Sequence, residues 1–248
     1  MLPSFSEHLE MIAERSAVLR SAVAAANDLD ARVPGCPEWT LQDLVVHVGQ
    51  VQRSWAAKVR AGGAEAPAVD DVPTGDLLAW SEESTELLTG ALRDVGPDAP
   101  CWTWWEDSDA PSNSGAVARH QVQEAALHAY DAQSVSGATD ELPSDIALDS
   151  LDEFLVVSLG AMGAWQAWPH SPARVDFVAS EGPRWTVKLT AVAKVESDPE
   201  GVPAATVTGS AADLILALYS RIPPERLRLD GDPGIVAQLL GWAAMTTD

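Results

Sequence analysis

The chain has 248 residues, 46% of them apolar, enough for one large domain or two small ones around a packed core. Its 37 acidic against 15 basic side chains give a formal charge of −22, which repels phosphate backbones and anionic membranes and argues against nucleic-acid and peripheral-membrane roles. Two cysteines, Cys36 and Cys101, are too few for a disulfide framework or a thiolate zinc cage; no signal-like N-terminus or long apolar run occurs, so a protein of the reducing cytoplasm is expected.

Residues 4 to 29 carry Leu9, Ile12, Ala13, Ser16, Leu19 and Val23 at helical spacing and predict a first helix, which the loop A-R-V-P-G-C-P-E-W ends. Thr40 reads as the N-cap of a second helix over 41 to 61; Asp43 completes a capping box, and Trp39 and Leu44 are placed as a hydrophobic staple. A loop to Pro73 precedes a third helix over 75 to 94. Residues 96 to 115 have no period but hold Trp102, Trp104 and Trp105, which predicts an ordered loop that walls a cavity. A fourth helix covers 115 to 136, and Ser144 caps a fifth that runs to 166. Short connections favour antiparallel neighbours, so these helices form a bundle.

After W-P-H-S-P the period changes from 3.6 to 2. Residues 174 to 179, 184 to 192 and 204 to 208 read as strands, Ser210 with Asp213 caps an apolar helix ending near Arg221, R-L-R-L is a short strand, and Asp232-Pro233 opens a last helix. The expected class is α+β: a four-helix-bundle domain over 1 to 166, a linker, and a small α+β domain over 172 to 248.

The fourth helix carries the chemistry, in R-H-Q-V-Q-E-A-A-L-H-A-Y-D-A (119 to 132). Residues four apart on a helix point about 40° apart, so Glu124 and His128 lie one above the other and can present two ligands to one cation. His120 and Asp131 extend this polar stripe along a helix whose other side is apolar. A catalytic zinc site takes three protein ligands and keeps a position open. His47, in the apolar run D-L-V-V-H-V-G-Q-V of the second helix, needs a partner, and either a metal or a hydrogen bond supplies one. The candidate metal set is therefore His47, Glu124 and His128.

The segment V-P-G-C-P-E-W-T-L-Q-D-L-V-V-H-V (33 to 48), followed by R-x-x-x-x-E-x-x-x-H-x-x-D-A (119 to 132), resembles the mycothiol-dependent maleylpyruvate isomerase family. The tail T-G-S-A-A-D-L-I-L-A-L-Y-S-R with L-R-L-D-G-D-P is similar to that family's C-terminal domain, which is reminiscent of sterol-carrier domains. The likeness spans nearly the whole chain. It implies a DinB-like four-helix bundle with a divalent metal, usually zinc, on His47, Glu124 and His128, and it implies mycothiol as cofactor. It implies a catalytic role for Arg221, whose position at a helix end is also explained by the helix dipole. Trp102, Trp104, Trp105, His120 and Asp131 are the candidate cofactor-binding residues. Many relatives have a histidine where this chain has Gln123, an arginine at His120, and a Gly-Arg pair at Ser220-Arg221, departures that suggest a pocket tuned to another substrate.

The expected function is a zinc- and mycothiol-dependent thiol transferase or isomerase acting on a small electrophile. A metal-dependent hydrolase on the same ligands and a non-catalytic small-molecule-binding protein are the alternatives. Expected partners are a small-molecule thiol and its electrophile, with no nucleic acid or membrane, in a monomer or homodimer.

Overall fold

A computed structural model describes residues 3–246 except 65, 67 and 70. They group into two units, one of residues 1–103 and 111–142 and one of residues 104–110 and 143–248. The first holds four long helices: α1 (Phe5–Ala25), α2 (Leu41–Ala61), α3 (Leu77–Val95) and α4 (Ser114–Ser134). None of the described helices is long and apolar enough to cross a membrane.

Each helix begins where a side chain can take up its first free N–H groups. Ser4 with Glu7, and Thr40 with Asp43, form full capping boxes; Asp76 caps α3 and Asn113 caps α4. The stripe Leu9, Ile12, Leu19 and Val23 of α1 is buried, and Leu19 and Val23 pack with Leu41, Leu44, Val45 and Val48 of α2 and with Ala129 and Ala132 of α4. Gly49 lets α2 meet α3 closely, because any β-carbon there would run into the Trp80 ring. The buried Gln52 is matched on both sides of its amide: it donates to Ser16 at 2.9 Å and accepts from Thr85 at 3.0 Å.

Between α1 and α2, residues expected as loop form a two-stranded hairpin, β1 (Arg32–Val33) and β2 (Cys36–Thr40). Its register shifts within β1 and its strands hold only two and five residues, too short for a period-2 signal. The hairpin ends on the N-cap of α2 and so fixes where Cys36 and Trp39 stand.

The second unit contains the sheet of β3 (Ala173–Ala179), β4 (Arg184–Leu189), β5 (Ala193–Glu196), β6 (Ala205–Gly209) and β7 (Arg228–Gly231), in the order β5-β4-β3-β6-β7. Only β3 and β6 run parallel. Val175, Phe177 and Ala179 alternate into the core, where α7 (Ala211–Leu218) packs on β3 and β6, and α8 (Pro233–Ala243) packs on β6.

The fifth predicted helix is realised as α5 (Ser144–Glu153), a π-helical turn (Phe154–Ser158) and α6 (Leu159–Met162), with Pro143 rather than Ser144 in the cap position. It groups with the sheet: α5 packs on α7, Trp185 Nε1 donates to Asp152 at 2.7 Å, and Phe154 meets Tyr219 at 4.9 Å. The division between units therefore falls at 142/143 rather than after residue 166. The fifth helix buries its apolar face on α7, which local periodicity does not reveal.

Candidate metal centre

The register set by Thr40 turns Leu41, Leu44, Val45 and Val48 inward and leaves His47 at the margin of that stripe, its side chain 35% exposed. On α4, Glu124 and His128 face it. His47 Nε2 lies 3.2 Å from Glu124 Oε1, and His128 Nε2 lies 3.4 Å from the same oxygen. One ligand atom from each of the three residues falls within 4.8 Å of the others. Side-chain exposure falls from 35% at His47 through 22% at Glu124 to 9% at His128, so the cluster opens on the His47 side.

Asp131 is fully buried, and its Oδ2 lies 3.0 Å from His128 Nδ1. It is thus turned to the far nitrogen of a candidate ligand, the arrangement that fixes an imidazole's tautomer and aims its other nitrogen. Cys36 in turn donates its thiol to Asp131 Oδ2 at 3.8 Å. Trp39 covers the cluster from the hairpin, 4.4 Å from the His47 ring and 6.0 Å from that of His128, and the two imidazoles stand edge to face at 5.2 Å. Sequence reading placed Trp39 only as a helix staple; its position before the N-cap, two turns from His47, was the available signal.

The electrostatics follow from this convergence. Burial alone would raise the Glu124 pKa, but the His128 charge and hydrogen bonds from both histidines hold it well below the ordinary carboxylate value. Burial alone would lower the His128 pKa, yet Glu124 and Asp131 push it up to about 9. Both ring nitrogens of His128 face carboxylate oxygens, so without a metal the ring holds two protons. A divalent ion would stand where the Nε2 proton stands. Two imidazoles and one carboxylate with an open side are a donor set that suits zinc and related divalent ions, and the residues fit such an ion.

The other expected residues distribute over both units. His120 lies one turn before Glu124 on α4, 6.1 Å from the Trp55 ring. Trp102 belongs to the bundle unit, is 46% exposed, and lies 6.5 Å from Trp55. Trp104 and Trp105 belong to the sheet unit, where Trp104 meets Trp165 at 5.3 Å and Trp105 is fully buried. The tryptophan-rich segment is therefore divided between the two units.

Arg221 lies in the sheet unit, just past α7. Arg221 N–H donates to Leu216 O at 2.8 Å and Ser220 N–H to Ala217 O at 3.0 Å, the paired bonds of a Schellman helix end. That motif demands a left-handed residue at Ser220, and its φ is 58°, the one positive value outside glycine among the described residues. The Arg221 guanidinium donates from Nη1 to Tyr219 O at 2.8 Å.

With this geometry established, comparison with known proteins gives two family matches. The model of the mycothiol maleylpyruvate isomerase N-terminal domain matches residues 9–133, and that of the MDMPI C-terminal domain matches residues 145–238. The crystal structure of the mycothiol-dependent maleylpyruvate isomerase aligns at 16% identity with a TM-score of 0.61, covering 92% of this chain and 93% of that one. A histidine-to-alanine mutant of that enzyme aligns at 15% identity with the same score and coverage. At such identities the likeness establishes the shared fold. No curated protein sequence matches the chain.

Proposed function

The chain belongs to the mycothiol maleylpyruvate isomerase family, a family of enzymes, and on that premise we propose that it is a metal-dependent thiol transferase or isomerase. Mycothiol is its thiol, and a small electrophile is its substrate. The observation that carries the reading is the convergence of His47 Nε2, Glu124 Oε1 and His128 Nε2, open on one side and braced behind by Asp131.

His47, Glu124 and His128 would hold the ion, zinc by donor chemistry. A bound divalent ion would lower the pKa of a thiol in its open position, supplying a thiolate at neutral pH. The chain's own residues do the rest. Asp131 keeps the proton on His128 Nδ1 and so leaves Nε2 as the donor. Trp39 screens His47 and His128 from water on the hairpin side. Cys101 is buried with its pKa raised and so stays a neutral thiol, which agrees with a nucleophile that comes from the cofactor. His120, Asp131 and the tryptophans Trp102, Trp104 and Trp105 are the residues we assign to the cofactor's surroundings, Asp131 acting through His128. Arg221 is assigned to a substrate carboxylate, which a planar guanidinium binds in a bidentate fashion.

Elemental analysis of protein purified without added metal tests the reading, together with turnover of candidate electrophiles with and without mycothiol. Near-stoichiometric zinc or a substitute, with thiol-dependent turnover, is expected. A protein stripped of metal that keeps full activity contradicts the reading, and turnover that needs metal but no thiol favours a hydrolase.

A further inference from the structure

Cys36 and Cys101 both belong to the bundle unit, and their thiols are bonded differently. Cys101 Sγ donates to the carbonyl of the next residue, Trp102, at 3.4 Å. Cys36 Sγ reaches across 95 positions of sequence and donates to Asp131 Oδ2 at 3.8 Å. The same oxygen lies 3.0 Å from His128 Nδ1. One oxygen of a fully buried carboxylate therefore faces two donors, one from the hairpin and one from its own helix α4.

The core carries the thiol to that place. Val33 pairs with Cys36 across the two-residue turn Pro34-Gly35, and Val33 is fully buried with Leu19, Leu41 and Leu44. Arg32 Nη1 donates to Glu38 O at 2.7 Å and ties the two strands together. Beyond Cys36, β2 continues to Trp39, which lies over both imidazoles, and to Thr40, which caps the helix that bears His47. The hairpin is thus anchored at both ends, by Val33 in the core and by the start of α2.

We propose that Cys36 is a positioning residue of the metal centre: its thiol pins Asp131 Oδ2 against His128 Nδ1 and thereby aims His128 Nε2 at the ion held with His47 and Glu124. This deepens the metal-dependent reading above and rests on it. The terminal torsion of an aspartate is soft, so a carboxylate held by one donor can turn away from it, and a second donor on the same oxygen limits that turn. The direction of a ligating imidazole follows from what its far nitrogen bonds. What holds Asp131 therefore also holds His128 Nε2 at its place 3.4 Å from Glu124 Oε1, where the ligand atoms converge.

The test uses the full chain, with zinc affinity read by competition against a chelator and the melting temperature of the metal-free form as the control for folding. Cys36→Ala should weaken zinc by about three- to tenfold, less than a carboxylate that touches the ligand directly, because an S–H is a weak donor. Cys36→Ser, whose O–H also donates, should stay within about twofold of wild type. With Asp131→Ala already in place, Cys36→Ala should cost at most about 1.5-fold more, since the acceptor through which the thiol acts is gone. Should Cys36→Ala fail to fold, Cys36→Val, which fills the space without a donor, takes its place in the same comparisons. Unchanged zinc affinity without the thiol overturns the proposal. So does a loss of equal size with and without Asp131, or a serine that restores nothing, because either makes Cys36 a packing residue. A wild type that holds no zinc fails the metal-dependent reading and takes this proposal with it, whereas a wild type that holds zinc and is indifferent to Cys36 fails the proposal alone.

Discussion

At His47, Glu124 and His128, polar side chains from two helices face one another, whereas the Arg221 guanidinium faces the end of its own helix. Both places concentrate charge near buried surface. In the first, groups from two helices converge: the polar stripe of α4 meets His47 of α2, and both Nε2 atoms crowd one oxygen. In the second, the carbonyl of Tyr219 satisfies the cation two residues away, and the aromatic ring of the same residue lies 5.8 Å below it. Convergence of ligand atoms from two helices on one point marks a place built around something else, while a charge matched at its own helix end is compatible with structure alone.

The contrast breaks most visibly if the cluster is dismantled without loss of metal. His128→Ala should weaken zinc by roughly 100- to 1000-fold, since a structural zinc site gains about 10–16 kcal/mol from four ligands, about 2.5–4 kcal/mol each. Competition against a chelator measures this, and a variant that still copurifies with a full equivalent of zinc would remove the cluster from consideration.

The next largest effect is in the metal-free protein. The folded His128 pKa of about 9 exceeds its ordinary value of 6.5, so its stabilisation is fully present below pH 6.5 and is lost as pH rises through 9. The depressed Glu124 pKa acts oppositely: its contribution is present above 4.5 and is lost as pH falls through the folded value. Urea denaturation of the metal-free chain should therefore show greatest stability between about pH 4.5 and 6.5, and a decline of about 3 kcal/mol at most by pH 10. Zinc should flatten the alkaline side, because the ion replaces the proton. Equal stability of the metal-free chain at pH 6 and pH 10 would contradict the coupling.

Asp131→Asn tests whether the brace behind His128 matters. It should cost 10- to 100-fold in zinc affinity, roughly the span seen for carboxylates that orient metal-bound imidazoles, with the fold intact by circular dichroism. An unchanged affinity would reduce Asp131 to packing.

Arg221→Lys sharpens the other side of the comparison. If Arg221 meets a substrate carboxylate, the specificity constant should fall by about thirtyfold, about 2 kcal/mol, at constant melting temperature. Wild-type turnover would assign the residue to its helix end. The smallest effect expected is for Ser220→Gly, which relieves a left-handed backbone at a position where the Schellman motif favours glycine. It should stabilise by about 0.5 kcal/mol, raising the melting temperature by roughly 1–2 °C, with turnover unchanged. A drop in turnover instead would tie the strained turn to the chemistry.

Several elements were legible in advance because their signals are local. The Thr40 capping box fixed the start of α2, and the predicted span of 41 to 61 is the observed one. Glu124 and His128 share a face by helix geometry alone. Other features were hidden for reasons equally physical. The hairpin before α2 has too few residues for alternation, and β5, four residues that begin just past the predicted strand of 184 to 192, was missed because Leu189 and Ala193 join through a tight turn. Ser220 gave no sign of its conformation, since serine seldom adopts it and only the paired helix-end bonds require it.

By itself the sequence determined the helices and most strands, through caps and periodicity that act within a few residues. It also determined the pairing of Glu124 with His128, and the motif resemblance named His47 as their partner. Tertiary structure alone decided that His47 crosses the bundle to reach Glu124, that Asp131 turns to the back of His128, that Trp39 comes to lie over both histidines, and that the fifth helix packs with the sheet. These depend on which faces of distant segments are buried together, and burial energy is non-directional and summed over the whole core, so no local window of sequence contains it.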